Sequence, residues 1–164
     1  CAQGGGAGNL EIANDNGGGQ IVLSGKMANI DAAIALAKDM KIKRAVKLPV
    51  SAPFHSSLMR PAQDVMAEAL AQARIVAPIV PVIANVTAAR ETDADTIRTN
   101  LVAQVTGRVR WRESVTEMVK IGIDTFVEVG AGKVLSGLAK RIEPDVSTFT
   151  IGTPADVETF LKSL

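Results

Sequence analysis

The sequence has few of the residues that most often build covalent or metal-bound sites: its 164 residues include one cysteine, one histidine, one tryptophan and no tyrosine. A single cysteine excludes an internal disulfide, and without a Cys/His cluster no structural zinc site can form. No charge of one sign is in excess, because 18 Lys and Arg residues stand against 17 Asp and Glu residues. This balance excludes a dedicated nucleic-acid binder, and the low cysteine content favours a cytoplasmic protein.

Long hydrophobic runs are missing as well. The longest charge-free apolar stretch, Ile75 to Val86, contains Pro78 and Pro81 and is shorter than the roughly 18 residues that cross a bilayer. Hydrophobic residues nevertheless make up 47% of the chain and charged residues 21%. These proportions are typical of a chain that folds around an apolar core.

The N-terminal residue is Cys1 in place of an initiator Met, and a glycine cluster follows it. We therefore expect the sequence to begin inside a longer protein. One alternative is an autoprocessed hydrolase in which Cys1 is the nucleophile and its own amine is the base. The glycines argue against that alternative, because such a site needs a rigid first strand.

Hydrophobic periodicity predicts strands that are mostly separated by helices. The expected strands are Leu10–Ala13, Gln20–Ser24, Arg44–Val50, Val80–Ala84, Thr125–Val129 and Thr148–Ile151. The expected helices are Met27–Met40, Leu58–Ala73, Asp93–Val105 and Trp111–Ile121, with two more that start at Lys133 and Pro154. This order predicts an α/β fold with a parallel sheet covered on both faces, and two subdomains that meet near Leu48 to Pro53.

The only histidine, His55, lies where a predicted strand stops and a predicted helix begins. Strand ends are where α/β proteins place ligands and catalytic groups, and an imidazole can act as a general base near neutral pH. The alternative is a histidine that only caps the helix. No serine has glycines two positions before and after it, as a nucleophile elbow requires. We therefore expect the nucleophile to lie outside this sequence.

Two glycine-rich turns favour a different interpretation, a non-catalytic module that binds a small anion or ligand. One is Gly17-Gly18-Gly19, and the other is Gly130-Ala131-Gly132 between a predicted strand and a predicted helix. A strand that runs through glycines into a helix directs backbone N–H groups at an anion. Leu135 stands where a dinucleotide-binding motif has its third glycine, so we expect a packed turn and no nucleotide cofactor.

Several sequence blocks occur together in the order found in one enzyme family. They are Asn14–Asn16, Gly19–Gly25, Arg44–His55, Leu58–Ala62, Asn85–Thr87, Val109–Val115 and Glu128–Leu138. Over essentially the whole chain, these blocks resemble the malonyl-CoA:acyl-carrier-protein transacylase family. Gly18 and Ala131 depart from the family at turns where proline is usual.

The resemblance implies the C-terminal part of an α/β-hydrolase-like domain and part of an inserted ferredoxin-like small subdomain. Residues 1–48 match the last strand-strand-helix-strand of the small subdomain, and residues 49–164 match the acyltransferase domain. In the family's order, the nucleophilic serine lies upstream of Cys1. We accordingly expect the chain to be inactive alone and to need the missing N-terminal half of the enzyme, in the same polypeptide or as a second fragment.

The resemblance also implies roles for individual residues. His55 matches the general base, and Gln104 matches the residue whose carbonyl orients the imidazole. Asn16 matches a substrate-pocket residue with Asn14 as its neighbour, and Phe54 matches an aromatic that selects malonyl over methylmalonyl groups.

The implied reaction transfers a malonyl group from malonyl-CoA to the phosphopantetheine thiol of acyl carrier protein, through a serine acyl-enzyme, in fatty-acid biosynthesis. It requires no metal or redox cofactor. The acidic carrier protein needs a basic docking patch, for which the candidates are Lys41, Lys43, Arg44, Lys47 and Arg60. The alternatives are that these side chains are only solvated and that the chain is an inactive remnant.

Overall fold

The computed structural model describes residues 10–163. Its strands are β1 (Leu10–Asp15), β2 (Ile21–Gly25), β3 (Val82–Ala84), β4 (Ala89–Glu91), β5 (Thr125–Val129) and β6 (Ser147–Ile151). Its α-helices are α1 (Met27–Asp39), α2 (Arg60–Gln72), α3 (Ala94–Gln104), α4 (Trp111–Lys120), α5 (Val134–Ile142) and α6 (Pro154–Leu161). A 3₁₀ turn, Ser57–Met59, directly precedes α2. Cys1 and the glycine cluster after it lie outside the described residues.

β1 and β2 form an antiparallel hairpin, in register from Leu10 opposite Gly25 to Asp15 opposite Ile21. Gly17 in the connecting turn has a φ of 75°, and a Cβ placed on it would lie 2.6 Å from Cγ1 of Ile142 on α5. Glycine alone adopts this conformation without cost and leaves that space free. The turn therefore closes tightly against α5.

The hairpin is joined to the rest of the fold along β1. The Asp15 N–H donates to the carbonyl of Val109 at 2.9 Å, and the Val109 N–H donates to the carbonyl of Ala13 at 2.8 Å. Arg112 on α4 adds an ion pair with the Asp15 carboxylate at 3.0 Å. These bonds hold β1 in a fixed position relative to α4.

β5 and β6 pair in parallel, in register from Thr125 opposite Ser147 to Val129 opposite Ile151, and α5 connects them. Phe149 on β6 meets Phe160 on α6 edge to face, with 5.2 Å between the ring centroids. A strand-helix-strand unit with parallel pairing is typical of α/β folds, and the predicted α/β class is confirmed.

The buried apolar core lies where β1, α4 and α5 meet. Its members are Ala13, Val115, Leu138, Ala139 and Val146. The hydroxyl of the buried Ser114 donates to the main-chain carbonyl of Arg110 at 2.9 Å, so this polar group is satisfied inside the core. Within residues 10–163, no helix combines the length and the apolar content that a membrane span requires.

The strand predicted for Arg44–Val50 is wrong. Residues 44–50 pair with none of the described strands, and the side chains of Val46, Leu48 and Val50 are each more than half exposed. An alternating pattern becomes a strand only where a neighbouring edge accepts its backbone hydrogen bonds. No described strand provides that edge for this segment.

The sheet around β3 also differs from the prediction. β3 pairs antiparallel with β4, a strand that was not predicted, in register from Val82 opposite Glu91 to Ala84 opposite Ala89. The Ala-Arg-Glu sequence of β4 has low β propensity, and the turn contains Ala88 at a φ of 54° in place of an Asn-Gly or Asp-Gly pair. Parallel pairing of named strands in the described residues is therefore confined to β5 and β6.

Candidate functional site

His55 lies in the loop that leads from residues 44–50 into the 3₁₀ turn and α2. Its backbone φ is 57°, in the left-handed region that non-glycine residues rarely adopt. Residues with such angles persist only where surrounding contacts hold them, and they cluster at functional sites. The loop conformation therefore favours a functional role for His55.

The imidazole of His55 is held by the end of α3. Its Nδ1 lies 3.0 Å from the main-chain oxygen of Gln104, the last residue of that helix. The last carbonyls of a helix have no partner within the helix, so this oxygen can accept an external hydrogen bond. Because a carbonyl only accepts, Nδ1 carries the proton, and the lone pair of Nε2 can take up another.

The Gln104 prediction thus corresponds to a contact that the main chain makes. The side-chain Nε2 of Gln104 points elsewhere and donates to the carbonyl of Gly107 at 3.0 Å. The Gly107 N–H in turn donates to the carbonyl of Ala103 at 2.9 Å. These two bonds fold the chain back on the end of α3 and fix the position of the Gln104 carbonyl.

The two serines next to His55 use their hydroxyl groups for structure. Ser56 is completely buried, and its Oγ donates to the carbonyl of Pro53 at 2.7 Å. Ser57 Oγ donates to Oε1 of Glu11 at 2.6 Å. Both hydroxyls are thus committed to acceptors other than the imidazole.

The remaining predicted site residues lie on the β1–β2 hairpin and in the loop directly before His55. Asn14 is part of β1 and bridges to Val109, and the Asn16 N–H closes the hairpin turn by donating to the carbonyl of Gln20 at 3.0 Å. Phe54 precedes His55 in the loop and is 46% exposed. Within residues 10–163, no hydrogen bond links Asn14, Asn16 or Phe54 to the imidazole. Of the predicted site residues that the structure describes, His55 and Gln104 are the pair joined by a hydrogen bond.

Glu11 is a residue near His55 that the sequence did not single out. Its Oε1 accepts hydrogen bonds from both the backbone N–H of Ser57, at 3.0 Å, and the Ser57 hydroxyl. These residues are 46 positions apart in the chain. A glutamate on a predicted strand carries no sequence signal that it reaches such a distant loop.

The glycine-rich turn after β5 already contains its anion, the carboxylate of Glu128. Glu128 accepts from the backbone N–H of Leu135 at 3.2 Å and from that of Ser136 at 2.8 Å, both in the first turn of α5. These bonds, above all the one from Ser136, hold the pKa of the Glu128 carboxyl below its ordinary value. Two of the backbone donors at the start of α5, those of Leu135 and Ser136, are therefore engaged within the protein.

The hairpin turn shows the same arrangement on a smaller scale. The Gly17 N–H donates to Oδ1 of Asp15 at 3.2 Å, and Asp15 also pairs with Arg112. Neither glycine-rich turn therefore provides observations that favour the anion-binding alternative. In the described part of the chain, no group of three or more His, Cys, Asp and Glu side chains is arranged to hold a metal ion.

The basic residues predicted to face a partner are exposed. They are Lys41, Lys43, Arg44, Lys47 and Arg60. Lys47 is engaged in an ion pair with Asp31 on α1 at 2.5 Å, with both side chains about half exposed. An ion pair of that kind contributes little to stability and leaves the lysine available to solvent.

The chain is similar to known proteins in both sequence and structure, although not to a family model. No family model matches the chain. The chain is 41% identical over 158 residues to the malonyl CoA-acyl carrier protein transacylase of Bacillus subtilis, which covers 96% of this chain and 50% of that protein. It is also 41% identical over 149 residues to the transacylase of the same name from Escherichia coli K12, covering 91% and 48%.

Solved structures agree with the sequence comparison. The acyl-carrier-protein-S-malonyltransferase from Bartonella henselae matches with a TM-score of 0.89 and 51% identity, over 94% of this chain and 49% of that one. The enzyme of the same name from Burkholderia pseudomallei matches with a TM-score of 0.89 and 41% identity, over 93% and 50%. The chain spans about half the length of the curated relatives it matches.

Proposed function

We propose that this chain, a partial member of the malonyl CoA-acyl carrier protein transacylase family, supplies the general-base half of a malonyl transferase. The chain corresponds to the C-terminal part of the family's members. The proposed donor is malonyl-CoA, and the proposed acceptor is the phosphopantetheine thiol of acyl carrier protein, in fatty-acid biosynthesis. The observation that supports this proposal is the hydrogen bond between His55 Nδ1 and the Gln104 carbonyl. It fixes the ring with Nε2 as the basic nitrogen.

In the proposed first half-reaction, Nε2 of His55 removes the proton of a serine hydroxyl while the serine oxygen bonds to the thioester carbonyl carbon of malonyl-CoA. The carbon–sulfur bond then breaks, and coenzyme A leaves as a thiol with the proton that His55 returns. In the second half-reaction, Nε2 takes the proton of the carrier thiol, whose sulfur attacks the malonyl-serine ester. The serine oxygen leaves and recovers that proton from the imidazole.

The serine itself is proposed to lie outside these 164 residues. The hydroxyls of Ser56 and Ser57, the serines adjacent to His55 in sequence, donate to Pro53 and Glu11. Using Ser56 as the nucleophile would take its hydroxyl donor away from the Pro53 carbonyl, and using Ser57 would remove one of the bonds that Glu11 Oε1 accepts. The loss of such partly buried hydrogen bonds is costly. We therefore expect no malonyl transfer by the chain alone.

Substrate and partner contacts complete the proposal. Asn16, with Asn14 beside it on the hairpin, is proposed to line the acyl pocket. Phe54, next to the base in the loop, is proposed to exclude the methyl group of methylmalonyl-CoA by its bulk. Five exposed basic residues are proposed to attract the acidic carrier protein, namely Lys41, Lys43, Arg44, Lys47 and Arg60.

The decisive experiment uses a chimera in which this chain replaces the matching half of the Bacillus subtilis transacylase, its 41% identical relative. Transfer of malonyl from malonyl-CoA to the carrier protein is followed by the mass of the carrier. We expect transfer by the chimera and a loss of about 10²-fold to 10⁴-fold in kcat for its His55→Ala variant. Gln72→Ala, on the exposed end of α2, is a control that should leave kcat unchanged.

The isolated chain provides the complementary test. Incubation of residues 1–164 with malonyl-CoA should leave its intact mass unchanged. Acquisition of a malonyl group would show that the nucleophile is within the chain, and full activity of the His55→Ala chimera would remove the base assigned here.

A further inference from the structure

The loop around His55 is restrained from three directions. Within the loop, the buried Ser56 hydroxyl donates to the carbonyl of Pro53 at 2.7 Å. From α3, the Gln104 carbonyl holds the imidazole. From β1, Glu11 holds the backbone N–H and the hydroxyl of Ser57, two residues after His55.

These restraints matter because His55 has a left-handed backbone conformation, with a φ of 57°. A non-glycine residue keeps such a conformation only where its surroundings over-determine it. The Gln104 contact acts on the ring and the Ser56 contact acts inside the loop. Glu11 is the restraint that ties the segment directly after His55 to a different part of the fold.

We propose that Glu11 is a positioning residue for His55. By accepting both Ser57 donors, it keeps the loop in the conformation in which Nδ1 reaches the Gln104 carbonyl. The catalytic consequence of this proposal rests on the proposed function, whereas its structural consequence at His55 does not.

Two hydrogen bonds allow Glu11 to restrain the loop, although Glu11 and Ser57 are 46 positions apart in the chain. One oxygen, Oε1, accepts two bonds, at 3.0 Å from the Ser57 N–H and at 2.6 Å from Oγ. Hydrogen bonds to an ionised carboxylate are stronger than bonds between neutral groups. The strand that carries Glu11 is itself fixed, through the main-chain bonds of Ala13 and Asp15 to Val109. Removal of the carboxylate therefore removes both Ser57 contacts, whereas the main-chain bonds of β1 remain.

The single histidine makes a direct test possible. The complete chain is labelled with ¹⁵N-histidine, so that every imidazole signal comes from His55, and the nitrogen shifts report which ring nitrogen carries the proton. We expect the Nδ1–H tautomer in the unchanged chain. Glu11→Ala should lower its population, and Glu11→Gln, which keeps an oxygen acceptor, should restore most of it. Glu68→Ala, on the exposed face of α2, is the matched control and should change nothing.

Kinetics in the chimera test the catalytic consequence. A base displaced by a distant change loses on the order of 10-fold to 100-fold in rate, so we expect Glu11→Ala to lower kcat by that factor with little change in KM for malonyl-CoA. Ser57→Ala removes only the hydroxyl contact and should produce smaller effects of the same kind in both experiments. It keeps the proposal testable should Glu11→Ala not fold.

The outcomes separate the two proposals. An unchanged Nδ1–H population in folded Glu11→Ala, or in Ser57→Ala should that be the only folded variant, overturns the role of Glu11 even where the chimera transfers malonyl. A chimera without transfer, combined with a lowered Nδ1–H population in Glu11→Ala, overturns the proposed function and supports the role of Glu11 in positioning the histidine.

Discussion

Replacement of Gln104 by alanine tests how the imidazole of His55 is oriented. The acceptor at 3.0 Å from Nδ1 is the main-chain oxygen of Gln104, which every amino acid provides. The substitution therefore leaves this acceptor in place and removes only the bond from the side-chain Nε2 to the Gly107 carbonyl. A residue that looks essential in the sequence is expected to tolerate the loss of its side chain.

The magnitude follows from that one lost bond. A hydrogen bond between neutral, partly buried groups contributes about 0.5–1.5 kcal/mol to the free energy of unfolding. If the whole amount were lost from the transition state as well, kcat would fall about tenfold. By contrast, replacement of the orienting aspartate in a serine-protease triad costs on the order of 10⁴-fold, because the histidine then adopts the wrong tautomer.

The assay is malonyl transfer by the chimera, in which kcat and KM are measured for three of its variants, Gln104→Ala, His55→Ala and Gln72→Ala. We expect Gln104→Ala to stay within about tenfold of the unchanged chimera and its midpoint of urea unfolding to decrease. A loss of about 10⁴-fold, as in a triad without its orienting group, would refute the reasoning. It would mean that the side-chain carbonyl of Gln104 contacts the imidazole during turnover.

Three other predictions concern the hairpin turn, the contact between Glu128 and α5, and the proposed acyl pocket. Gly17→Ala should lower the free energy of unfolding, measured by urea titration, by about 1–3 kcal/mol, because it adds backbone strain at φ 75° and a close contact with Ile142. Gly18→Ala is the control: Gly18 has a φ of 56° and open space around it, so the substitution adds strain alone and should lower the free energy of unfolding by less. The pKa of Glu128 is lowered in the folded chain, so the stability that this carboxylate contributes is present above the ordinary pKa of 4.5 and is lost as the pH falls through the folded pKa. In unfolding measured against pH, Glu128→Gln should therefore lose less stability in acid than the unchanged chain does. Identical pH profiles for the two chains would contradict the contact between Glu128 and α5. Phe54→Ala in the chimera should raise kcat/KM for methylmalonyl-CoA relative to malonyl-CoA by about 10-fold to 200-fold, and an unchanged ratio would remove Phe54 from the pocket.

Elements whose own residues determine them could be predicted from the sequence. The predicted strand Thr125–Val129 has the observed bounds, and the predicted ends of α2, α3 and α4 lie within two residues of the observed ones, an ordinary uncertainty for helix termini. The apolar stripe of α4 buries Val115, and Asp93 caps α3 by accepting from the Thr96 N–H at 2.7 Å. Signals of this kind are local, so a single sequence contains them.

Elements that depend on a partner could not be predicted in the same way. Residues 44–50 have the alternation of a strand but lack a described edge to pair with, whereas β4 has little strand propensity and forms because β3 lies beside it. At the site, the resemblance to a family pointed to His55 and Gln104, but it did not indicate that the main chain makes the contact. Glu11 gave no signal, because its role arises only once β1 and the loop are adjacent.

The position of the imidazole acceptor depends on where α3 ends, and this makes Gly107 a sensitive residue. A Cβ at Gly107 would lie 2.7 Å from Cγ2 of Val86 and 2.8 Å from the Ala103 carbonyl oxygen, the acceptor of the Gly107 N–H. The second of these atoms is backbone and cannot turn aside, so the segment after Gln104 must shift. Because the Gln104 carbonyl belongs to the same turn, its position relative to Nδ1 should shift with it.

Gly107→Ala should therefore lower kcat of the chimera more than Gln104→Ala does, although alanine adds one methyl group and the hydrogen bonds of Gly107 are with Ala103 and Gln104. A displacement of about 1 Å at a catalytic group costs about 10²-fold in rate. The ¹⁵N-histidine spectrum of the chain should show the same change as a reduced Nδ1–H population. Equal kcat values for the two variants, with the tautomer unchanged, would mean that the end of α3 does not determine the orientation of the His55 imidazole.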